Sequence, residues 1–439
     1  MTANFNNMIS VIRELLRINS IESDPLPLMP FGPGCANALK FTLNLLEEFE
    51  FSVKNLDNYC GYGEIGDGEL FGVLGHLDVV PVGNDWTYPP FDALLIDGKI
   101  YGRGAIDDKG PTIVSIFAAA KLMQDGYIPK KRLRFILGCD EESGWKCMEH
   151  YSLTEEIPTT GFSPDADFPC INCEKGIIHY LLSMPVPNDI IDFVGGTRSN
   201  VVPDRAMIVV NPKFFKFSTA KQNPSVGLRF ITNETLPGQL IKILAEGRSA
   251  HASTPNEGEN AIVKLLYAIS QENSQLATLA NAFAMNDGSN CGLNFSDLKS
   301  GALTLNLGTV KIVNKRLVFE LDIRYPVTIK KSHLKKTLQE NLAFVKIEEL
   351  DGHPPLYVNE EDPLVKSLLN AYDRVMFTNS KPLTIGGGTY ARFLPHGVAF
   401  GPSFPNSVSL VHQKDEFISI QDLALTFDIY YEALKQLVF

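Results

Sequence analysis

The sequence predicts an α/β domain with a mainly parallel sheet, into which a long β-rich segment is inserted. Three observations lead there: apolar strand-like runs alternate with helical stripes early in the chain, the texture turns β-rich from about Gly176, and acid- and histidine-bearing motifs stop there and resume only at Gly386 and His412. The first stripe, Phe5, Met8, Ile9, Ile12, Leu15 and Leu16 within Asn4 to Ile18, has the spacing of a helix that covers a sheet. Ala36 to Phe49 repeats it through Leu39, Leu43 and Leu46. Phe51 to Asn58, Leu70 to Gly75 and Leu133 to Gly138 read as strands, and Pro111 to Met123 as the helix between the last two, with proline suited to its first turn. Such alternation implies parallel pairing, and ligands of parallel sheets collect beyond the carboxyl ends of the strands. After Gly176, strands are expected over Ile177 to Met184, Arg205 to Val210, Gln239 to Glu246, Leu303 to Val313 and Leu317 to Ile323, with a helix after Asn260. At roughly 180 residues, this segment far exceeds an ordinary loop.

The chemistry is densest between Phe71 and Gly110. An apolar strand breaks into Gly75-His76-Leu-Asp78, and alternation puts His76 and Asp78 on one side, so one can bind a metal while the other orients its ring. Alone, a single His-x-Asp pair is weak evidence for a metal, and its neighbours strengthen it. Asp107 follows from the glycine-bracketed Gly102-Arg-Gly-Ala-Ile-Asp107-Asp108-Lys-Gly110, where backbone can approach an ion closely. A second strand ends in Asp140-Glu141-Glu142, whose mutual repulsion a cation would relieve. Asp165 lies in the proline-marked Ser163-Pro-Asp-Ala-Asp167, and His412 in Ser409-Leu-Val-His-Gln413. Imidazoles with carboxylates suit zinc, cobalt or manganese, and five such groups suffice for two ions that share one carboxylate.

Composition narrows the partners. A chain of 439 residues has length for two or three domains. A net charge of −12 argues against nucleic acid or an anionic membrane as the main partner, since both require a basic face. Met1 to Asn7 lacks a basic region leading into an apolar one, and the most apolar run, around Ile113 to Met123, is too short to span a bilayer. Seven cysteines, an odd number, suit a reducing compartment, so a cytoplasmic location is expected. Cys170-Ile-Asn-Cys173 invites a zinc or redox reading, but Cys139 and Cys147 supply no second pair at matching spacing, and local packing is the expected role.

Read together, Pro30 to Gly34, Gly75-His-Leu-Asp-Val-Val-Pro81, Asp85 to Tyr88, Gly102-Arg-Gly104, Asp107-Asp-Lys-Gly110, Asp140-Glu-Glu-Ser-Gly-Trp145 and Pro164 to Ala166 form an ordered series. It continues with Glu174 to Gly176, Gly195-Gly196, Asn200-Val-Val-Pro203, Ser249-Ala-His251, Arg324-Tyr-Pro326, Gly386 to Arg392 and His412. In this series the chain resembles PepV-type dipeptidases of the zinc-dependent M20 peptidase family over essentially its whole length. The resemblance implies a di-metal catalytic domain with a mainly parallel sheet, formed by residues 1–177 and 355–439, and an inserted α+β lid domain, 178–354. The larger lid takes the place of a partner subunit in smaller relatives, which implies a monomer.

Carried over residue by residue, the resemblance makes His76, Asp107, Glu142, Asp165 and His412 the ligands of two Zn2+, with Asp107 bridging and Co2+ or Mn2+ as other occupants. Glu141 becomes the base that activates a water between the ions, Asp78 the partner of His76, and His251 the lid residue that stabilises the oxyanion. Asn200, Arg324, Gly387, Gly388, Thr389 and Arg392 fall on the substrate. Arg324 is otherwise readable as a solvated edge charge, although its planar fork suits a peptide carboxylate. Gly386 to Gly388 lacks the Lys-Ser/Thr of a phosphate loop, and its amides suit that same carboxylate. The expected activity is hydrolysis of unblocked dipeptides. An N-acyl-amino-acid deacylase of the same family and a catalytically silent metal-binding scaffold are the alternatives.

Overall fold

The structure, a computed structural model, describes residues 1–211, 228–232, 240–269, 274–408 and 410–439. Gln239, the expected start of one strand, and Ser409, beside the last histidine motif, lie outside the described residues. The chain divides into two compact units: 1–172 with 356–383 and 389–439, and 173–355 with 384–388. Each holds its own apolar core.

In the first unit the sheet runs in spatial order Ser52–Leu56, Cys60–Ile65, Arg132–Gly138, Leu70–His76, Thr160–Ser163 and His396–Ala399. The last four pair in parallel. Ser52–Leu56 and Cys60–Ile65 pair antiparallel, and Cys60–Ile65 is antiparallel to Arg132–Gly138. The sheet is therefore mixed, parallel at its centre only, which corrects the expectation of a mainly parallel one. The cause is local. Asp57 and Asn58 both have left-handed backbone (φ 54° and 57°), and the Tyr59 amide donates to the Leu56 carbonyl at 3.0 Å, closing a hairpin turn where the sequence reads as one continuous strand.

The strand Leu70–His76 is buried throughout, as the inner strand of a sheet covered on both faces must be. Helix Lys109–Gln124 packs on it and against helices Phe5–Leu16 and Ile420–Leu437, and is buried on nearly every side. It begins two residues before the expected Pro111, which still lies in its first turn. Among the described residues, the second unit holds an antiparallel eight-stranded sheet in the order Leu228–Thr232, Ile241–Glu246, Arg205–Val210, Ile190–Gly195, Thr304–Val313, Arg316–Tyr325, Gly176–Pro185 and Lys346–His353. Helix Ala261–Ile269 turns Ile262, Leu265, Leu266 and Ile269 into its core, spacing that puts them on one face. No helix among the described residues is long and apolar enough to cross a membrane.

The parallel centre leaves no room for side chains at one point. A Cβ on Gly161 would lie 2.0 Å from the Gly72 carbonyl oxygen of the neighbouring strand. Gly161→Ala is expected to cost about 1–3 kcal/mol by forcing these strands apart; urea denaturation checks this, and an unchanged midpoint would contradict it.

Candidate metal centre

Each central strand delivers its part of the site at its carboxyl end. His76 closes Leu70–His76, Asp140 to Glu142 follow Arg132–Gly138, and Asp165 follows Thr160–Ser163. Asp107 precedes helix Lys109–Gln124, and His412 lies in the turn before Phe417–Ser419. All five expected ligands belong to the first unit.

They converge on Asp107. Its Oδ1 lies 2.9 Å from His76 Nε2, and its Oδ2 lies 2.9 Å from His412 Nε2. His76 Nε2 is also 3.7 Å from Asp165 Oδ2, and His412 Nε2 is 3.2 Å from both Glu142 oxygens. His76, Asp107 and Glu142 place one ligand atom each within 4.8 Å of one another. The His76 side chain is 1% exposed and the Asp107 side chain 9%, whereas that of His412 is 47% exposed, so the cluster opens to solvent on the His412 side.

Electrostatics show what such a cluster asks for. Burial pushes the Glu142 and Asp165 carboxyls above their ordinary range, and repulsion from Asp107 adds to it. Burial also raises Glu141, with His76 opposing and Glu142, Asp78 and Asp107 reinforcing. Burial disfavours the His412 imidazolium, but Asp107 and Glu142 outweigh it and lift its pKa to about 11. Protons thus balance charge that a divalent cation would otherwise balance, and oxygen with imidazole donors around one shared carboxylate fits zinc, cobalt or manganese.

Adjacent charges in the sequence do different work. Asp140 is no ligand: its Oδ1 accepts from the Gly144 amide at 2.7 Å and its Oδ2 from the Lys146 amide at 2.9 Å, so it builds the turn that presents Glu141 and Glu142. Of the three carboxylates expected to share relief from a cation, one is instead satisfied by backbone. Asp108 accepts from the His76 amide at 3.1 Å and the Thr112 hydroxyl at 2.8 Å. Gly75 makes room for this, since a Cβ there would meet Thr112 Oγ1 at 2.0 Å. Lys109 is buried and donates to the Ile18 and Leu15 carbonyls at 2.7 and 3.4 Å, at the carboxyl end of the first helix, where a cation is favoured.

Asp78 faces His76 with both its backbone and its side chain. The His76 Nδ1 lies 3.0 Å from the main-chain oxygen of Asp78 and 3.6 Å from its carboxylate, while Asp78 Oδ2 accepts from the Glu142 amide at 3.0 Å. The carboxylate therefore also orients the acidic turn, and the closest contact to the ring is from the backbone. Tyr390, fully buried, sets its ring edge-to-face against His76 at 6.2 Å.

The second unit gathers another group of expected site residues. The Ala252 amide donates to the Asn200 carbonyl at 2.9 Å and Val201 bridges His251, so Asn200 and His251 lie on adjoining segments. His251 is exposed, and its Nδ1 is 2.6 Å from Ser253 Oγ. Gly386 packs so closely on Ser253 that a Cβ would fall 2.7 Å from the serine Cβ. Arg324 is 4% exposed and its fork is taken: Nε and Nη2 each donate to Asp322 at 2.6 Å, and Nη1 donates to the Gly386 carbonyl at 3.0 Å. The expected open fork for a peptide carboxylate is thus corrected, because a guanidinium buried in a sheet requires a counter-charge. Gly387 and Gly388 follow in this unit, whereas Thr389 and Arg392 belong to the first, where the Thr389 hydroxyl accepts from the Ala391 amide at 3.2 Å. Sequence reasoning missed Asp322, which is fully buried and also lies 3.1 Å from His179 Nε2, and Asn306, whose amide donates to the Ser199 and Val201 carbonyls at 2.8 and 2.9 Å. The visible signal for Asp322 was an acid two residues before Arg324 on one strand face.

A donor set of this kind at the carboxyl ends of a parallel sheet suits a metal-dependent enzyme, and the relatives of the chain give the class as metallopeptidase. The chain belongs to peptidase family M20/M25/M40, which matches residues 72–436. It is 40% identical over 456 aligned positions to a Bacillus subtilis (strain 168) protein named "Putative dipeptidase YtjP", covering 98% of this chain and 97% of that one. A Staphylococcus aureus (strain USA300) protein, also named as a "Putative dipeptidase", is 35% identical with 98% and 97% covered. The fold is also that of an M20 family metallo-carboxypeptidase from Sulfolobus solfataricus (TM-score 0.60, 17% identity, 98% of each chain) and of human carnosine dipeptidase 1 (TM-score 0.57, 14% identity, 98% and 97%).

Burial disfavours the Asp322 carboxylate, but Arg324 and His179 outweigh it and lower its pKa from 3.8 to about 2. A depressed folded-state pKa contributes stability above the unfolded value that disappears as pH falls through the folded one. Asp322→Asn is therefore expected to cost about 3–5 kcal/mol at pH 7 by stranding Arg324. The gap to wild type is expected to widen as His179, whose pKa Asp322 helps to raise, becomes protonated below pH 7, and to narrow below about pH 4. Denaturant titrations at several pH values measure this, and a gap that still widens below about pH 4 would contradict it.

Proposed function

We propose that this chain is a dipeptidase that uses two divalent cations, with zinc the first choice and cobalt or manganese able to replace it. The carrying observation is the Asp107 carboxylate, one oxygen 2.9 Å from His76 and the other 2.9 Å from His412. In that arrangement Asp107, with His76 and Asp165 on one side and His412 and Glu142 on the other, would hold the cations, which would polarise the peptide carbonyl and acidify water. Glu141, beside a ligand in sequence and half-buried, takes a proton from the attacking water and passes it to the departing amine. Asp78 and Asp140 hold the turn that carries Glu141.

Unblocked dipeptides are the proposed substrates. The names of the full-length relatives at 40% and 35% identity support this choice. Asn200, His251, Gly387, Gly388, Thr389 and Arg392 are the candidates for substrate contact, and Arg324 would act on the glycine loop through the Gly386 carbonyl it holds. All seven cysteines are free and buried, which supports a reducing, cytoplasmic setting.

The test is cleavage of Ala-Ala, N-acetyl-Ala and Ala-Ala-Ala by metal-loaded wild type and Glu141→Ala. Wild type is expected to cut Ala-Ala alone, and the variant to keep its metal while kcat falls about 10²–10⁴-fold. Preference for N-acetyl-Ala would make the protein a deacylase. No cleavage of any of the three, with metal bound, would favour a silent scaffold.

A further inference from the structure

We propose that Glu416 is a positioning residue of the metal centre, joining the loop that carries Asp107 to the turn that carries His412; this rests on the metal-centre reading above. Glu416 is fully buried, and every polar atom of its side chain is engaged with the other loop. Its Oε2 accepts from Arg103 Nη1 at 2.5 Å, and its Oε1 accepts from the Ile106 amide at 3.0 Å and the Asp107 amide at 3.4 Å. Its main-chain carbonyl accepts from the Gly102 amide at 2.9 Å. One residue thus grips Gly102, Arg103, Ile106 and Asp107, the segment that ends in the shared carboxylate.

The other side of the connection is short. Glu416 is four residues from His412, and Asp415 between them accepts from the Thr87 amide at 2.7 Å and the Thr87 hydroxyl at 2.9 Å. His412 has left-handed backbone at φ 62°, a conformation that costs a residue with a Cβ roughly 1–2 kcal/mol and persists only where neighbours impose it. Beyond Glu416, Phe417–Ser419 pairs antiparallel with Lys99–Tyr101, so the register of the two segments is set where they leave the site.

Stability alone is a poor reason for this pair. Arg103 is 1% exposed and its guanidinium lies over the Trp86 ring at 5.2 Å, yet its Nε and Nη2 have no hydrogen-bond partner. Apolar residues of similar volume generally replace such a buried pair without loss. What they cannot supply is an acceptor for the Ile106 and Asp107 amides. Metal ligands must be held within about 0.5 Å of their productive positions, and residues behind them typically change metal affinity 10–100-fold. Glu416 fixes the backbone of Asp107 while the Asp107 side chain spans His76 and His412.

The experiment compares full-length wild type, Glu416→Gln and Glu416→Asp by competition with a chromophoric chelator for Zn2+, by the d–d spectrum of the Co2+ form, and by circular dichroism and melting of the metal-free protein. The expected result is a metal-free fold like wild type, about 10–100-fold weaker Zn2+ binding, and an altered Co2+ spectrum. Wild-type affinity and spectrum in a folded variant would overturn the assignment. So would loss of the metal-free fold in both variants, which would make Glu416 structural; if only Gln fails to fold, Glu416→Asp decides by the same readouts. Wild type that binds neither ion would instead remove the metal-centre reading, and this inference with it.

Discussion

The sharing of one carboxylate between two imidazoles governs the first unit. Buried acids and histidines repel or pair according to charge, and Asp107, only 9% exposed in its side chain, has to satisfy His76 and His412 from opposite oxygens. That requirement fixes where the strands end. Parallel strands place their carboxyl ends side by side, so His76, the acidic turn and Asp165 arrive together although they are separated by tens of residues. The flanking helix then enters close enough for Asp108 to reach the His76 amide, which only a glycine at position 75 permits.

Runs of like or alternating charge conceal a division of labour. In Asp140-Glu141-Glu142 the first acid is consumed by backbone amides, the third faces His412, and the middle one is the proposed proton carrier. In Asp107-Asp108-Lys109 the first acid joins the cluster, the second holds a strand, and the lysine caps another helix. Each group has a neighbour in sequence that does something unrelated, because backbone direction changes at every strand end. Desolvation leaves little tolerance for a buried charge without a partner, so each one reports a specific contact.

How much was legible follows from this. The inner strands were readable because burial on both faces demands continuous apolar runs, as in Leu70 to Gly75. Acids and histidines at strand ends stood out as residue types that metals accept, but which member of each acidic run would face Asp107 came from the family resemblance and not from the residues themselves. The hairpin at Asp57 and Asn58 was not readable, since the flanking residues continue a strand-like pattern and only the backbone angles reveal the turn. For Asp78, alternation gave the side of the strand that faces His76 but not that its main-chain oxygen comes closer to the ring than its carboxylate. Arg324 misled because the i, i+2 spacing puts Asp322 on its face of the strand without showing that both are buried and paired. Glu416 escaped for a related reason: its partners at Arg103 and Ile106 lie some three hundred positions earlier, and nothing local marks a glutamate as buried.

If Asp107 shares its carboxylate between two cations, crystals grown with Zn2+ and measured on both sides of the zinc absorption edge will show it. Two anomalous peaks about 3.5–4 Å apart are expected, one beside His76 and Asp165, the other beside His412 and Glu142, with an Asp107 oxygen near each. A single peak, or two peaks that Asp107 does not join, would contradict it.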